Sequence, residues 1–446
     1  MRMKFNKPGQ LVLVSAASLL AAALVTACST LTVDFVFVTS AEASSPTDCS
    51  CQNPKIPTSC QGEVDVFEVN SESGFMRQIP TSPFLSGGRD PVAEAVSSDN
   101  TNLYVVNQDD NTIVQFIIGN DGKLYPQNTV NTPGIYPLAV AVRGTSLFVV
   151  DTYQPLPSCS TAAPCSGSIA VYPITVGPNN PPSDTLGSPY ANGSLNYWPL
   201  SLPASPNDII EPTAINVLAS GKYLYVTAYD ATAGANYIFG FSVTSSGLAA
   251  LNGGAPLGGA GTPFATGICT SAYLNAPFVV GTCPSAIASD STSSYVYVTD
   301  APGGLVHGYS VNAATGLLTA LSGSPFPAGD QPSAVVVDPA YPYVYVANAV
   351  DSTVTAYSMS NGTLTRLGSY PTGLQPVAIG IDPSTNHFLY TANFLGTTVN
   401  GTISGFELSS TAGALVNSQN SPYTSNALPT AVAAIPHNGM GGGTQK

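Results

Sequence analysis

Basic side chains are scarce in this sequence. Its 446 residues include 11 Lys and Arg against 25 Asp and Glu, and the formal net charge is −14. A surface of this sign repels phosphate backbones, so we expect no nucleic-acid partner. Charged residues make up only 8% of the chain, while Gly and Pro are abundant. That profile is typical of an exported, β-rich protein and not of an acidic disordered chain.

Histidine is rarer still, with three residues, at positions 307, 387 and 437. No two of them have the spacing of metal ligands, and the chain has neither a G-x-S-x-G elbow nor a phosphate-binding loop. These absences argue against zinc hydrolases, serine hydrolases of the elbow type and nucleotide-binding enzymes. We expect no cofactor; a divalent cation held by carboxylates and carbonyls is the alternative.

Long apolar runs are also missing, apart from one near the N-terminus. Arg2, Lys4 and Lys7 precede an apolar run over 11–27, and Cys28 follows. This order predicts a secretory signal peptide over 1–27, whose removal changes the net charge from −14 to −17.

The four residues 25–28, Val-Thr-Ala-Cys, resemble a bacterial lipoprotein cleavage box. The resemblance implies lipidation of Cys28 and an exported, membrane-anchored protein of the cell envelope, in the periplasm or at the cell surface. An uncleaved membrane anchor is the alternative.

Seven further cysteines would lie in an oxidising compartment after export. Cys159 and Cys165 share one loop, and Cys269 and Cys283 flank another, so we predict a disulfide within each pair. The remaining cysteines, at positions 49, 51 and 60, form an odd triplet whose pairing stays open, and a metal site is the alternative there.

One pattern recurs seven times: an apolar strand with an aromatic residue at its centre. The central residues are Phe37, Tyr104, Phe148, Tyr225, Tyr297, Tyr345 and Tyr390. The basic spacing is about 45 residues, and three long insertions lengthen it at three places. No helical periodicity appears after the signal, and each unit holds four short apolar strands separated by turns. The pattern predicts an all-β protein, a seven-bladed β-propeller with four-stranded blades.

A second marker, a proline followed by an apolar alternation, sets the phase of the blades. It occurs at Pro91, Pro137, Pro212, Pro284, Pro332, Pro376 and Pro429. The first unit lacks this strand, and the last copy has no aromatic strand after it. We therefore expect 429–435 to pair with 33–39 and complete one blade. The propeller would span 28–436, with insertions at about 41–62, 153–207 and 252–282, and 437–446 would be a flexible tail.

Two stretches resemble a known family. Residues 296–321 (VYVTD…GYSVNAATGLLTAL) and 344–367 (VYVANAVDSTVTAYSMSNGTLTRL) are similar to the YVTN-repeat propellers and to the wider lactonase family, which includes 6-phosphogluconolactonase-like proteins. The resemblance covers nearly all of the chain after the signal. It implies a seven-bladed propeller and, for some members, lactone hydrolysis. Because the repeated residues are mainly structural, it is specific for fold and weak for activity.

The residues before the prolines and those that end the aromatic strands are expected to meet at one mouth of the central channel. The acids there that could serve as a general base are Glu211, Asp90, Asp151 and Asp300. The candidate ligand-binding residues are Arg89, Asn107, Tyr136, Gln331, Asn348, Gln375 and Asn393. For the strand-end Asn and Asp residues, bonding of their own turns is the competing interpretation.

Two functions fit these observations. The main interpretation is a lipid-anchored, monomeric propeller that binds a protein, glycan or small molecule with one face of the ring. The alternative is a lactonase-type hydrolase. Since no two basic residues fall together at the expected mouth, its substrate would be a neutral lactone and not a phosphorylated one.

Overall fold

The fold consists of strands and the turns between them. The computed structural model describes residues 33–41, 61–71, 73–155, 165–177, 184–257, 284–383, 388–396 and 400–436. Within these ranges there is no α-helix, and hence none long and apolar enough to cross a membrane. A 3₁₀ turn spans Leu251–Gly254. Residues 1–32, including Cys28, and 437–446 lie outside the described residues, as do most of the first and third insertions and a smaller part of the second, 156–164 and 178–183.

The first strands along the chain are β1 (Val33–Ala41), β2 (Glu63–Asn70), β3 (Met76–Gln78), β4 (Phe84–Leu85), β5 (Pro91–Val96), β6 (Asn102–Asn107), β7 (Thr112–Ile118), β8 (Leu124–Asn131), β9 (Ile135–Arg143), β10 (Ser146–Tyr153), β11 (Ser168–Thr175), β12 (Thr185–Leu186) and β13 (Trp198–Pro199). The next are β14 (Ile210–Val217), β15 (Tyr223–Asp230), β16 (Ala235–Thr244), β17 (Gly247–Ala250), β18 (Ala286–Ser289), β19 (Tyr295–Asp300), β20 (Leu305–Val311), β21 (Leu318–Ala320) and β22 (Phe326–Pro327). The last are β23 (Pro332–Val337), β24 (Tyr343–Asn348), β25 (Thr353–Ser360), β26 (Thr363–Pro371), β27 (Pro376–Ile381), β28 (Phe388–Asn393), β29 (Thr402–Leu408), β30 (Leu415–Asn417), β31 (Tyr423–Thr424) and β32 (Leu428–Ile435).

These strands form seven antiparallel sheets in the described chain, and each sheet is one blade. From the axis outward the orders are β32-β1-β2-β3 (blade 1), β5-β6-β7-β8 (blade 2), β9-β10-β11-β12 (blade 3), β14-β15-β16-β17 (blade 4), β18-β19-β20-β21 (blade 5), β23-β24-β25-β26 (blade 6) and β27-β28-β29-β30 (blade 7). Each innermost strand contacts that of the next blade, and β27 contacts β32, so the ring is closed. The predicted seven-bladed propeller is confirmed.

The recurrent aromatic residue joins each blade to the next. All seven central aromatics are buried. In blades 4, 5 and 6 the tyrosine hydroxyl donates to a glycine carbonyl in a turn of the following blade: Tyr225 to Gly316 (2.7 Å), Tyr297 to Gly362 (2.7 Å) and Tyr345 to Gly413 (3.3 Å). The repeat therefore encodes packing between blades, which is why it specifies the fold.

The seven prolines mark one face of the ring, here called the proline face. In six blades the proline pairs with the last residues of the second strand: Pro91 with Asn107, Pro137 with Asp151, Pro212 with Ala228, Pro332 with Asn348, Pro376 with Asn393, and Pro429 with Ser40. The residues before the prolines and the ends of the aromatic strands therefore share this face, as predicted from the sequence.

Blade 1 closes the ring with strands from both ends of the described chain. β32 pairs with β1 in a register that runs from Phe35 with Ile435 to Ala41 with Leu428. At the proline face the Thr430 hydroxyl donates to the carbonyl of Thr39 in blade 1 (3.0 Å) and to that of Pro91 in blade 2 (2.8 Å). The predicted closure by 429–435 with 33–39 is confirmed.

Candidate functional site

Four of the residues that precede the prolines have an unusual backbone conformation. The φ angles are 50° at Asp90, 57° at Tyr136, 52° at Gln331 and 55° at Gln375. This left-handed region costs a residue with a side chain roughly 1–2 kcal/mol, and such conformations cluster at functional sites. All four side chains are half-buried. The backbone thus holds four of the predicted site residues in a defined, strained arrangement around the mouth.

The strand-end amides hold the loops of the proline face. Asn348 accepts from the backbone N–H of Gly329 (3.0 Å) and donates to the Thr355 hydroxyl (2.9 Å). Asn393 is likewise buried and donates to Thr402 and Ser404, while Asn107 lies buried against Ser86 and Thr112. These contacts assign the three side chains to turn structure in this state; their part in ligand binding stays a prediction.

Asp151 occupies the corresponding place in blade 3. It is fully buried, and its Oδ2 accepts from the backbone N–H of Gly134 (3.1 Å). An ideal Cβ on Gly134 would lie 2.3 Å from the Asp151 Cβ, so only glycine allows this approach. Burial raises the pKa of Asp151 to about 7, against the hydrogen bonds from Thr132 and Gly134. Among the residues that the structure describes, its Oδ1 has no hydrogen-bond partner.

Asp300 lies in blade 5, where it contacts His307. The Nε2 atom of His307 is 3.6 Å from Asp300 Oδ2, and both side chains are nearly buried. Register explains the contact, because β19 and β20 place the two residues on the same side of the sheet. Asp300 ends the second strand of the blade, at the proline face, and His307 lies on the third strand, farther from the axis.

Glu211 and three tyrosines form the most distinctive cluster of the proline face. Glu211 is the second residue of β14, just before Pro212, and pairs with Tyr229 across the sheet. The Tyr136 and Tyr153 rings of blade 3 meet edge to face, with centroids 6.3 Å apart and planes at 86°. Burial raises the pKa of the half-buried Glu211, and burial, then Glu211 and Tyr136, raise the pKa of Tyr153 to about 12. A carboxyl group that titrates closer to neutrality thus lies beside aromatic rings and phenols. We call these four residues the Glu211 cluster.

Asp90 belongs to a second group, in blade 2. Burial and then the Asp109 carboxylate raise the pKa of Asp90 to about 6, while Arg89 lowers it. Arg89 itself is committed to Asp110: its Nε atom donates to Oδ1 (2.8 Å), its Nη2 atom contacts the same oxygen, and its backbone N–H donates to Oδ2 (2.7 Å). The guanidinium is therefore held in place by a carboxylate of its own blade.

Charge is distributed unevenly between the two faces. Arg89 is the one Lys or Arg of the described residues that lies on the proline face; Arg77, Lys123, Arg143, Lys222 and Arg366 lie toward the opposite face. The acidic residues of the proline face are Glu63, Asp65, Asp90, Asp109, Asp110, Asp151, Asp208, Glu211, Asp230, Asp300, Asp330 and Asp351. No group of three or more potential ligands in the described ranges could hold a metal ion.

Several residues were missed at the level of sequence. Tyr153 and Tyr229 each end or nearly end an aromatic strand, and nothing in the repeat distinguishes them. Asp208 lies near Asp230, and after burial it contributes to the raised pKa of Asp230. Glu94 had a visible signal, since it is a charged residue inside the apolar alternation after Pro91. Of the predicted disulfide cysteines, 159, 269 and 283 lie outside the described residues, so both pairings stay predictions.

Known proteins similar to this chain have the same propeller fold. Residues 293–429 match the family described as Lactonase, 7-bladed beta-propeller. No curated protein matches the chain. A candidate 6-phosphogluconolactonase from Bacteroides fragilis is 18% identical, with a TM-score of 0.62 over 91% of this chain and 99% of that one. The periplasmic gluconolactonase of Pseudomonas aeruginosa is 16% identical, with a TM-score of 0.59 over 90% and 99% of the two chains.

At these identities the structural likeness concerns the fold alone. The family match begins just before β19 and ends at Pro429, so it covers most of blade 5 and all strands of blades 6 and 7. The chain is a seven-bladed β-propeller in which residues 293–429, over most of blade 5 and blades 6 and 7, match the model of the lactonase family.

Proposed function

We propose that this protein hydrolyses a neutral lactone at the Glu211 cluster. The observation that carries the proposal is the position of Glu211, a half-buried carboxyl group at the channel mouth. It pairs with Tyr229 and lies near Tyr153, whose ring packs against Tyr136. A general base works best when its pKa lies near the working pH, and burial raises the pKa of Glu211 in that direction. The lactonase family match supports the same reaction class.

The chemistry requires one base and one water molecule. Glu211 removes a proton from water as the water oxygen attacks the lactone carbonyl carbon. The tetrahedral intermediate then collapses, the bond between the carbonyl carbon and the ring oxygen breaks, and the ring oxygen takes up the proton from Glu211. The product is the open hydroxy acid, and the carboxylate of Glu211 is restored.

The charge of the proline face favours an uncharged substrate. A phosphorylated sugar lactone needs a cationic clamp for its phosphate. Arg89 is bound to Asp110, and the neighbouring side chains are carboxylates. We therefore propose a lactone without phosphate, in contrast to the substrate in the name of the Bacteroides protein.

Replacement of Glu211 by Gln tests the base. We expect Glu211→Gln to lower kcat for opening of D-glucono-1,5-lactone or an unsubstituted six-membered lactone by about 100-fold. The amide is close in size to the carboxyl but cannot accept the proton from water. The measurement is acid release in a pH-stat, with spontaneous opening subtracted. Glu407→Gln is the matched control, because Glu407 is exposed on β29 of blade 7.

Each outcome decides one point. Full activity of Glu211→Gln would remove the base from this cluster, and full activity of Asp90→Asn as well would also exclude the half-buried acid of blade 2. No acid release by the wild-type protein above the spontaneous rate on any neutral lactone would contradict the hydrolase. Saturable binding without turnover would then favour a ligand-binding module, and the unpartnered Oε1 of Gln331 supports a binding role for the rim.

We also propose that the protein is exported and anchored by lipid on Cys28. The basic residues, apolar run and cleavage box of residues 1–28 support it. The similar Pseudomonas protein is named as periplasmic. In a bacterial host given a palmitate analogue, we expect label on the wild-type chain and none on Cys28→Ser, with Cys165→Ser as the control. Equal labelling of the wild type and Cys28→Ser would contradict the anchor.

A further inference from the structure

Tyr153 has a buried hydroxyl group without a hydrogen-bond partner. It is the last residue of β10, and its side chain has no solvent exposure. Its hydroxyl oxygen is among the buried polar atoms of the described chain that have no partner. Leaving a buried hydroxyl unpaired is costly, so such a group in a native structure calls for an explanation.

Other buried tyrosines show what a satisfied hydroxyl looks like here. Tyr172, in the next strand of the same blade, donates to the carbonyl of Asn131 (3.2 Å), and Tyr357 donates to that of Pro327 (2.6 Å). Tyr104 and Tyr390 also lack a partner, but they are central aromatics of the blade-packing repeat. Tyr153 differs from both because it lies at the proline face, within the Glu211 cluster.

The neighbours of Tyr153 point to a ligand. Glu211 is close enough to act on its ionisation, and the half-buried Tyr136 ring packs edge to face against it. Tyr153 keeps its proton at neutral pH, because burial and the adjacent carboxylate raise its pKa to about 12. It is therefore a hydrogen-bond donor with no acceptor, next to the carboxyl group assigned as base.

We propose that the Tyr153 hydroxyl donates a hydrogen bond to the carbonyl oxygen of the bound lactone and stabilises the oxyanion of the tetrahedral intermediate. The inference rests on the proposed function, since it adds the electrophilic partner to the base Glu211. Tyr153 itself transfers no proton and remains a phenol throughout. Water loses its proton to Glu211, and the ring oxygen later takes that proton up. A ligand reaches the hydroxyl only if its cover shifts, and Tyr136 is part of that cover. Donors aimed at a developing oxyanion commonly contribute 10²–10³-fold to kcat.

The test removes one hydroxyl at a time from blade 3. We expect Tyr153→Phe to lower kcat by about 100-fold with KM changed less than about 3-fold, because the bond strengthens in the transition state. Its midpoint of thermal unfolding should not fall, since no protein bond is lost. Tyr172→Phe is the matched control: it should keep kcat and show a lower unfolding midpoint.

Binding of D-gluconolactam, an analogue that resists ring opening, separates this inference from the proposed function. Calorimetry on the wild type, Tyr153→Phe and Glu211→Gln gives the second readout. Loss of turnover in Glu211→Gln with full kcat in Tyr153→Phe would overturn the role of Tyr153 alone. Lactam binding that is at least about 10-fold weaker in Tyr153→Phe, without turnover by the wild type, would overturn hydrolysis and keep the hydrogen bond. A wild type that neither binds nor hydrolyses would overturn both.

Discussion

Truncation after Ala427 is expected to prevent cooperative folding. The deletion removes β32, which pairs with β1 from Ala41 to Phe35 and contacts the innermost strands of blades 2 and 7. Ile435, which packs in the core, is lost with it. The edge of β1 would become an open template for association. Folded domains are typically stable by only about 5–15 kcal/mol, and we expect most of that to be lost.

The measurement is a urea unfolding curve followed by far-ultraviolet circular dichroism, with sedimentation to detect association. Deletion of 437–446 is the control, and it should leave the curve unchanged. A synthetic peptide of residues 425–436 added to the truncated protein should restore the transition, because the missing interactions lie within that segment. A cooperative, monomeric transition for the truncated chain without peptide would show that the ring is held without β32.

Replacement of Glu94 is expected to remove a large pH dependence of stability. Glu94 lies on β5, three residues after its proline, where the other six blades have an aliphatic residue: Val140, Ile215, Ile287, Val335, Ile379 and Val432. Its Oε2 accepts a hydrogen bond from the Thr39 hydroxyl of blade 1 (2.6 Å), and its Oε1 is buried without a partner. Burial raises the pKa of Glu94 to about 7, against hydrogen bonds from Thr39 and Ala433.

Proton linkage gives the direction in which stability changes with pH. The folded protein binds the Glu94 proton more tightly than the unfolded chain, in which the pKa of a glutamate side chain is 4.5. The stabilising contribution of the neutral carboxyl is therefore complete below about pH 4.5 and is lost as the pH rises through about 7. One pKa unit corresponds to about 1.4 kcal/mol, so the loss amounts to about 3 kcal/mol.

We expect the free energy of unfolding of the wild type to fall more steeply between pH 5 and pH 8 than that of Glu94→Gln. The difference should reach about 3 kcal/mol, because the amide stays neutral throughout. Glu407→Gln is the charge-matched control on the exposed face of β29. Asp90 and Asp151 titrate in the same range and act equally in both proteins. Parallel pH profiles for the wild type and Glu94→Gln would contradict the assignment.

Much of the fold could be predicted because the repeat encodes contacts that each blade makes with the next. Tyr225 and Tyr297 reach the turn of the following blade in the same way, so one interaction appears in the sequence several times. The incomplete first and last units showed where the ring closes. The bounds of the strands inside 153–207 could not be predicted from the sequence, since β12 and β13 are two-residue strands within an irregular stretch.

The candidate site was predictable only in part. Asp90, Tyr136 and Glu211 were identified through their place before a proline, and the structure places all three on the predicted face. Which side chains are close to one another was not visible, because Tyr153 and Glu211 belong to different blades and come together only when those blades pack. Glu94 was passed over although its charge interrupts an apolar strand.

We could predict the number of blades, their phase, the closing strand and the sign of the surface charge without the structure. These features repeat or accumulate along the chain, and each depends on local pattern or composition. Tertiary structure alone decided which carboxyl groups are buried, that Arg89 is held by Asp110, and that Tyr153 lies beside Glu211 without a partner. Burial and pairing depend on contacts between blades, and a chemical role for one of twenty-five acids arises from that environment and not from its place in a repeat.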